Sequence, residues 1–349
     1  MYIDTLSVRL ITGLESVFFM LKKNILICLI VVGLYLYNCS SNVYIDKNVD
    51  KAKDNVAVYV RSYDSDNKPV SLAFTKKPKR IIAYHQNNIE TIKNLHEEKH
   101  LVGTLGRFVT VRDEEQVEQK NFLSKVPYYG LYGINQEMAV YLQPDLILGW
   151  PSSFLGRGVW SLGRTEFWQL RDVNCYVTLQ RRDDLLYETI EGEFQYLRDM
   201  GKIFNKEKEI TYYINHVQNY INEVSLKYKN QHKQRVLFLD IYGNIISSYG
   251  YNRLTGDIVR KLGGELVMLS VRPSQEEILY SDPDVIFLIY KTNEEIIAKN
   301  RFLNDRKYAS LRAVKNKRVY TVPLPYVYNS GWRVKDAVEI IASGLYPGI

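Results

Sequence analysis

The chain has 349 residues, with 46 Lys and Arg against 39 Asp and Glu, a formal net charge of +7 and 46% hydrophobic residues. That length suffices for two lobes of ordinary domain size, each with its own apolar core. The basic residues are scattered rather than gathered into a stripe, which argues against nucleic acid as a partner.

The first segment reads as export machinery. Lys22-Lys23 supply a basic region, and Ile25 to Tyr37 form an apolar stretch too short to span a bilayer as a helix. Leu36-Tyr37-Asn38-Cys39-Ser40 follows and resembles a bacterial lipoprotein processing site with Cys39 as the acylated residue, although Tyr37 and Asn38 are bulkier than the usual small residues. The alternative is an unmodified cysteine. Residues 1–39 are thus expected to be a signal region, with Met20 as a candidate start and 1–19 as an upstream extension. Of the other cysteines, Cys28 lies in the apolar stretch and Cys175 in the folded part, so no internal disulfide is expected. Residues 40–78 read as a tether and lead-in, with Val56–Val60 and Leu72–Phe74 suited to a small hairpin.

Residues 79–182 read as an N-terminal α/β lobe. Lys79 to Tyr84 is a short β-rich run, and His85-Gln86-Asn87-Asn88 is a polar loop opening a helix. Leu101-Val102-Gly103, Val126 to Tyr129 and Leu146-Ile147-Leu148 are the next expected strands. Strands alternating with helices imply a parallel sheet, whose binding loops leave the carboxyl ends of the strands. The candidate loops are Tyr84 to Asn88, Gly106-Arg107 and Trp150-Pro151-Ser152. Gly156 to Gly163, with Trp160 and Trp168 in or near it, is a candidate flap.

Residues 183–229 are charged, rich in helix formers and free of proline. Asn205 to Lys229 would be about 37 Å long if fully helical, with Ile210, Tyr213, Ile214, Val217, Ile221 and Val224 as its apolar stripe. Residues 230–349 repeat the α/β plan as a C-terminal lobe. Its opening strand is Arg235 to Asp240, a helix at Leu254–Leu262 closes on Gly263-Gly264, and a last helix runs from about Val334 to Ser343. Its strand ends carry Tyr242, Tyr249, Tyr251, Tyr290, Tyr326 and Tyr328.

One element occurs in both lobes. Glu137 and Glu276, Pro144 and Pro283, and Asp145 and Asp284 are each 139 residues apart. In each copy a short helix begins near the glutamate, Pro-Asp breaks it, and an apolar run too short for a helix follows as a buried strand. Each copy therefore presents an exposed glutamate.

The ordered set of Lys79-Arg80-Ile81-Ile82 with Glu90, Leu101-Val102-Gly103, Asn135-Gln136-Glu137 with Pro144-Asp145, Ser274-Gln275-Glu276 with Pro283-Asp284, and Gly331-Trp332-Arg333 resembles the substrate-binding lipoproteins of ATP-driven importers for iron-siderophores, corrinoids and haem. The resemblance implies an α/β fold of two Rossmann-like lobes, each with a central mostly parallel sheet, joined by a long backbone helix (a class III periplasmic binding protein). It implies a monomer that captures a ferric-siderophore or similar iron chelate in the interlobe cleft and delivers it to an ABC permease with its ATPase, without catalysis or a resident cofactor. By motif position, Glu137 and Glu276 match the family's permease-docking glutamates; an ordinary helix-start glutamate is the plain alternative. Export with an acyl chain on Cys39 would hold the protein at the cell envelope, on the periplasmic or outer face.

Strand-end aromatics and arginines suit a chelate, through flat contact area and guanidinium forks. The candidate ligand-binding residues are Tyr84, His85, Gln86, Arg107, Trp150, Tyr242, Tyr249, Arg272, Tyr290 and Tyr326. Arg157, Arg164, Arg253 and Arg333 also lie near these loops, and Arg333 equally suits a helix anchor. His85 follows the first strand directly and is also placed as a haem ligand or a hydrogen-bond donor. Corrinoid or haem binding stays open, as do an exported α/β enzyme and a surface scaffold lipoprotein. Against an enzyme stand the lack of a G-x-S-x-G elbow, a P-loop and a G-x-G-x-x-G turn.

Overall fold

Two five-stranded sheets, one in each half of the folded chain, organise the computed structural model, which describes residues 57–106, 113–155, 158–178, 188–242, 245–267, 270–291 and 295–349. The signal region with Cys39, and the candidates Arg107 and Arg157, lie outside the described residues. A hairpin of β1 (Val58–Tyr63) and β2 (Pro69–Phe74) leads in, as its alternating pattern predicts.

The N-terminal lobe then runs β3 (Ile81–Ala83), α1 (Gln86–Asn94), β4 (Leu101–Leu105), α2 (Asp113–Leu123), β5 (Tyr129–Gly130), α3 (Gln136–Tyr141), β6 (Leu146–Gly149), α4 (Thr165–Gln169) and β7 (Asn174–Val177). Its sheet is wholly parallel in the order β5-β4-β3-β6-β7. The strand expected at Val126 to Tyr129 falls instead at Tyr129–Gly130, because the chain up to Val126 is still in the turn ending α2, where the Val126 N–H donates to the Leu123 carbonyl, and Pro127 has no N–H to give a ladder. Trp168, read above as part of a flap, is instead core: it is 1% exposed, and its indole N–H donates to the Leu162 carbonyl at 2.7 Å.

The connection consists of α5 (Ile190–Phe204) and α6 (Glu207–Tyr228), separated by Asn205 in the left-handed conformation. On α6 the predicted stripe is buried at Ile210, Ile214, Val217, Ile221 and Val224. The C-terminal lobe runs β8 (Arg235–Tyr242), β9 (Ile245–Ser248), α7 (Leu254–Lys261), β10 (Glu265–Leu266), α8 (Gln275–Ser281), β11 (Val285–Tyr290), α9 (Glu295–Asn304), α10 (Arg312–Lys315), β12 (Val319–Pro323), α11 (Leu324–Val327) and α12 (Val334–Leu345). Its order is β10-β8-β11-β12, all parallel, with β9 antiparallel on β8.

A single apolar cluster runs from the hairpin through both connecting helices to α12. The opposite face of each sheet carries a smaller cluster of its own.

The repeated element is a repeat in three dimensions too. Asn135 caps α3 by accepting from the Met138 N–H, and Ser274 caps α8 reciprocally with Glu277. Both helices end in a non-glycine residue at positive φ, Gln143 and Asp282. The aspartate after each proline then fastens the helix end to the first strand of its lobe. Asp145 accepts from the backbone N–H groups of Lys79 and Arg80, and Asp284 from that of Arg235. Arg80 and Arg235 return the favour by donating to the last carbonyls of the helix, at Leu142 and Ser281. The buried strands β6 and β11 follow directly.

Candidate functional site

In each sheet the strand order reverses at one point, between β3 and β6 in the first lobe and between β8 and β11 in the second. The crevice outside the carboxyl ends of such a pair is where open α/β sheets hold ligands.

At the first reversal Tyr84 and His85 leave β3 and Trp150 leaves β6. The Tyr84 N–H donates to the Leu148 carbonyl at 2.7 Å, which ties the two strand ends together. His85 lies at φ 82 and ψ 148, a region rarely occupied by residues other than glycine. There its ring stacks on Trp150, with centroids 3.7 Å apart and planes 10° from parallel. His85 Nε2 is 2.9 Å from Ser153 Oγ, which also accepts from the Trp150 N–H at 3.2 Å. Burial pushes the imidazole pKa down to about 3, so the ring is neutral at ordinary pH. The indole Nε1 of Trp150 is buried with no hydrogen-bond partner among the described residues.

Two further aromatics frame this stack. Tyr328, just beyond α11 in the other lobe, meets Trp150 edge-on at 5.6 Å. The Tyr84 hydroxyl donates to the Trp160 carbonyl at 3.0 Å, and Trp160 lies half-exposed beside the exposed Tyr132. Burial raises the pKa of Tyr84, and likewise that of Tyr328, where Glu188 adds to it. Both therefore keep their protons at neutral pH.

The second reversal carries charge where the first carries rings. Lys291, one residue beyond β11, pairs with Asp240 of β8 at 2.8 Å and sits 6.0 Å from the Tyr242 ring centroid. Tyr249 is half-buried, and its pKa is raised by burial and then by Asp240. Arg253 pairs with Glu188, whose other oxygen accepts from the Leu254 N–H.

The predicted residues thus divide. Tyr84, His85 and Trp150 come together, and Tyr242 and Tyr249 flank the opposing strand end, Tyr242 at 75% exposure. Gln86 turns to its own helix, donating to Glu90 at 2.8 Å. Tyr290 and Tyr326 are buried, and Tyr326 packs against the Arg333 guanidinium. Arg272 is exposed, and Arg164 is held by Asp66 at 2.8 Å. Arg333 is an anchor between lobes, paired with Glu90 of α1. Glu137 and Glu276 are both exposed. Ser153 and the Asp240–Lys291 pair were not singled out by the sequence. A serine three residues after a strand-end tryptophan, following Pro151, was the available signal for the first.

Residues 81–326 match the protein family described as periplasmic binding protein. A curated relative, an uncharacterised ABC transporter substrate-binding lipoprotein of Bacillus subtilis named YvrC, is 24% identical over 334 residues, covering 93% of this chain and 98% of that protein. Among solved structures, a periplasmic binding protein from Veillonella parvula is 29% identical with a TM-score of 0.75, covering 84% of this chain and 93% of that one. An ABC-type Fe3+-hydroxamate transport system structure from Saccharomonospora viridis has a TM-score of 0.64 at 16% identity, covering 82% and 99% of the two chains.

Proposed function

Because the chain belongs to the periplasmic binding protein family, we propose that it is the substrate-binding component of an ABC importer, and that it captures a ferric-siderophore or similar iron chelate between its lobes. The observation that carries this reading is the stack of neutral His85 on Trp150 at the strand-order reversal, facing Tyr328 from the other lobe. A ferric chelate wraps its metal in an organic shell that presents apolar faces and ligand oxygens outward. Parallel rings with a free indole N–H and phenolic donors suit that shell better than they suit a bare ion. The relative described as an ABC transporter substrate-binding lipoprotein and the structural neighbour of an Fe3+-hydroxamate system support the same reading.

In this reading His85, Trp150 and Tyr328 hold the chelate, with Tyr84, Tyr242 and Tyr249 around them. Residues 79–182 and 230–349 form the two lobes across 183–229. Glu137 and Glu276 meet the permease, and Cys39 carries the lipid that keeps the protein at the envelope. Titrating the protein with ferric hydroxamates, ferric catecholates, cobalamin and haemin should quench tryptophan fluorescence with the iron chelates, and Trp150→Phe should remove most of that quenching. Quenching by cobalamin or haemin alone would move the assignment to a macrocycle. No quenching by any of them would reject capture at this stack.

A further inference from the structure

The repeated element carries a second matched pair that the glutamates alone do not account for. Tyr141 and Tyr280 are also 139 residues apart, each four positions after its glutamate. Residues four apart on a helix lie on one face, so each phenol stands one turn from its carboxylate. The two side chains are 79% and 93% exposed. Between them Ala139 and Ile278 are fully buried, which fixes how each helix is rotated and keeps the phenols outward. Among the described residues neither phenol has a ring contact or a hydrogen bond, and neither glutamate has an ion pair.

A large ring held in water contributes little to folding. One such residue is ordinary on any surface, but the same residue at the same place in two lobes, beside the same free carboxylate, describes a paired contact. An anion and an aromatic face one helical turn apart match a guanidinium, which donates two N–H bonds in plane while its face covers a ring. An ammonium makes poorer use of both. Two equivalent pairs also match a partner that offers one site twice, as a two-fold-symmetric permease does.

We propose that each lobe docks through a carboxylate–phenol pair, Glu137 with Tyr141 and Glu276 with Tyr280, each pair receiving one arginine of the permease. This rests on the docking role given to the glutamates above and adds the phenols as its second half.

The test measures binding of the full chain to its own permease reconstituted in nanodiscs. Tyr141→Ala and Tyr280→Ala should each weaken binding roughly two- to five-fold, and the double variant by about the product, as expected for exposed cation–π contacts. Tyr141→Phe with Tyr280→Phe should bind as the parent does, and chelate affinity should not change in any of these variants. The proposal is overturned if the double alanine variant binds the permease like the parent, or if the phenylalanine variant is as weak as the alanine one. It is equally overturned if the alanine changes act by dissolving a dimer of this chain, read by light scattering. If Glu137→Arg with Glu276→Arg also leaves binding intact, the docking role of the glutamates fails, and the proposal with it; loss with the glutamate variant alone rejects only the phenols.

Discussion

Glu90 and Arg333, 243 residues apart in sequence, join the two lobes: the guanidinium donates to both carboxylate oxygens, at 2.9 and 3.3 Å. Burial works against the arginine's charge, but Glu90 outweighs it, and the pKa of Arg333 is raised. Beside this pair the Gly331 N–H donates to Glu193 of α5 at 2.7 Å, so the turn before α12 is fastened at two points.

Arg333→Ala leaves the Glu90 carboxylate largely buried without its partner. Unfolding in urea should show a loss of about 2–4 kcal/mol, somewhat under the roughly 3–5 kcal/mol for breaking a fully buried pair from one side, because the Arg333 side chain is 27% exposed. Glu90→Leu with Arg333→Met should recover most of it, because removing both charges also removes their desolvation cost. A double variant as unstable as the single one would mean that packing, not charge, is what Arg333 supplies.

Glu193 makes the same junction sensitive to pH. Burial, with Glu188 adding to it and the Gly331 N–H opposing it, raises its carboxyl pKa from 4.5 to about 7. Between those values the folded chain binds more protons than the unfolded one. This contribution to stability is therefore full below about pH 4.5 and lost as pH rises through 7. Glu193→Gln keeps an acceptor for Gly331 without the charge, and should be more stable than the parent at pH 8 by about 1–3 kcal/mol, with little difference at pH 4.5. Equal urea midpoints at pH 8 would refute this.

At His85 the backbone and the side chain have opposed interests. His85→Gly and His85→Ala both remove the ring and should both weaken chelate binding, but glycine accepts φ 82 without strain. The glycine variant should be the more stable by about 1–3 kcal/mol. Alanine as stable as glycine would show that no strain is held there.

Membrane attachment gives a simpler check on the proposed lipid. Cys39→Ser should move the protein from the membrane fraction to the soluble one, and an unchanged distribution would contradict acylation at that residue.

Much of this architecture was legible because it is local. The apolar runs of β6 and β11 and the stripe on α6 are written in consecutive residues. Tyr84, His85 and Trp150 could be placed at strand ends, but their meeting depends on β3 and β6 being neighbours, which no local pattern specifies. Tyr290 and Tyr326 illustrate the same limit from the other side. A strand-end tyrosine turns inward or outward according to what packs over it, and here both are covered. Arg333 was readable as an anchor, whereas its partner on α1 was not, since nothing nearby in sequence marks Glu90 as its counterpart.

The neutral imidazole of His85 has one further consequence. A protein exported as proposed meets acidity that cells do not buffer, and many iron chelates change charge as they gain or lose protons. With its proton affinity held down to about pH 3, His85 gives the cleft the same face in mildly acidic and neutral surroundings. In the proposed chelate site, His85 then adds no pH dependence of its own, and any change of capture with acidity across that range arises in the cargo or in other groups.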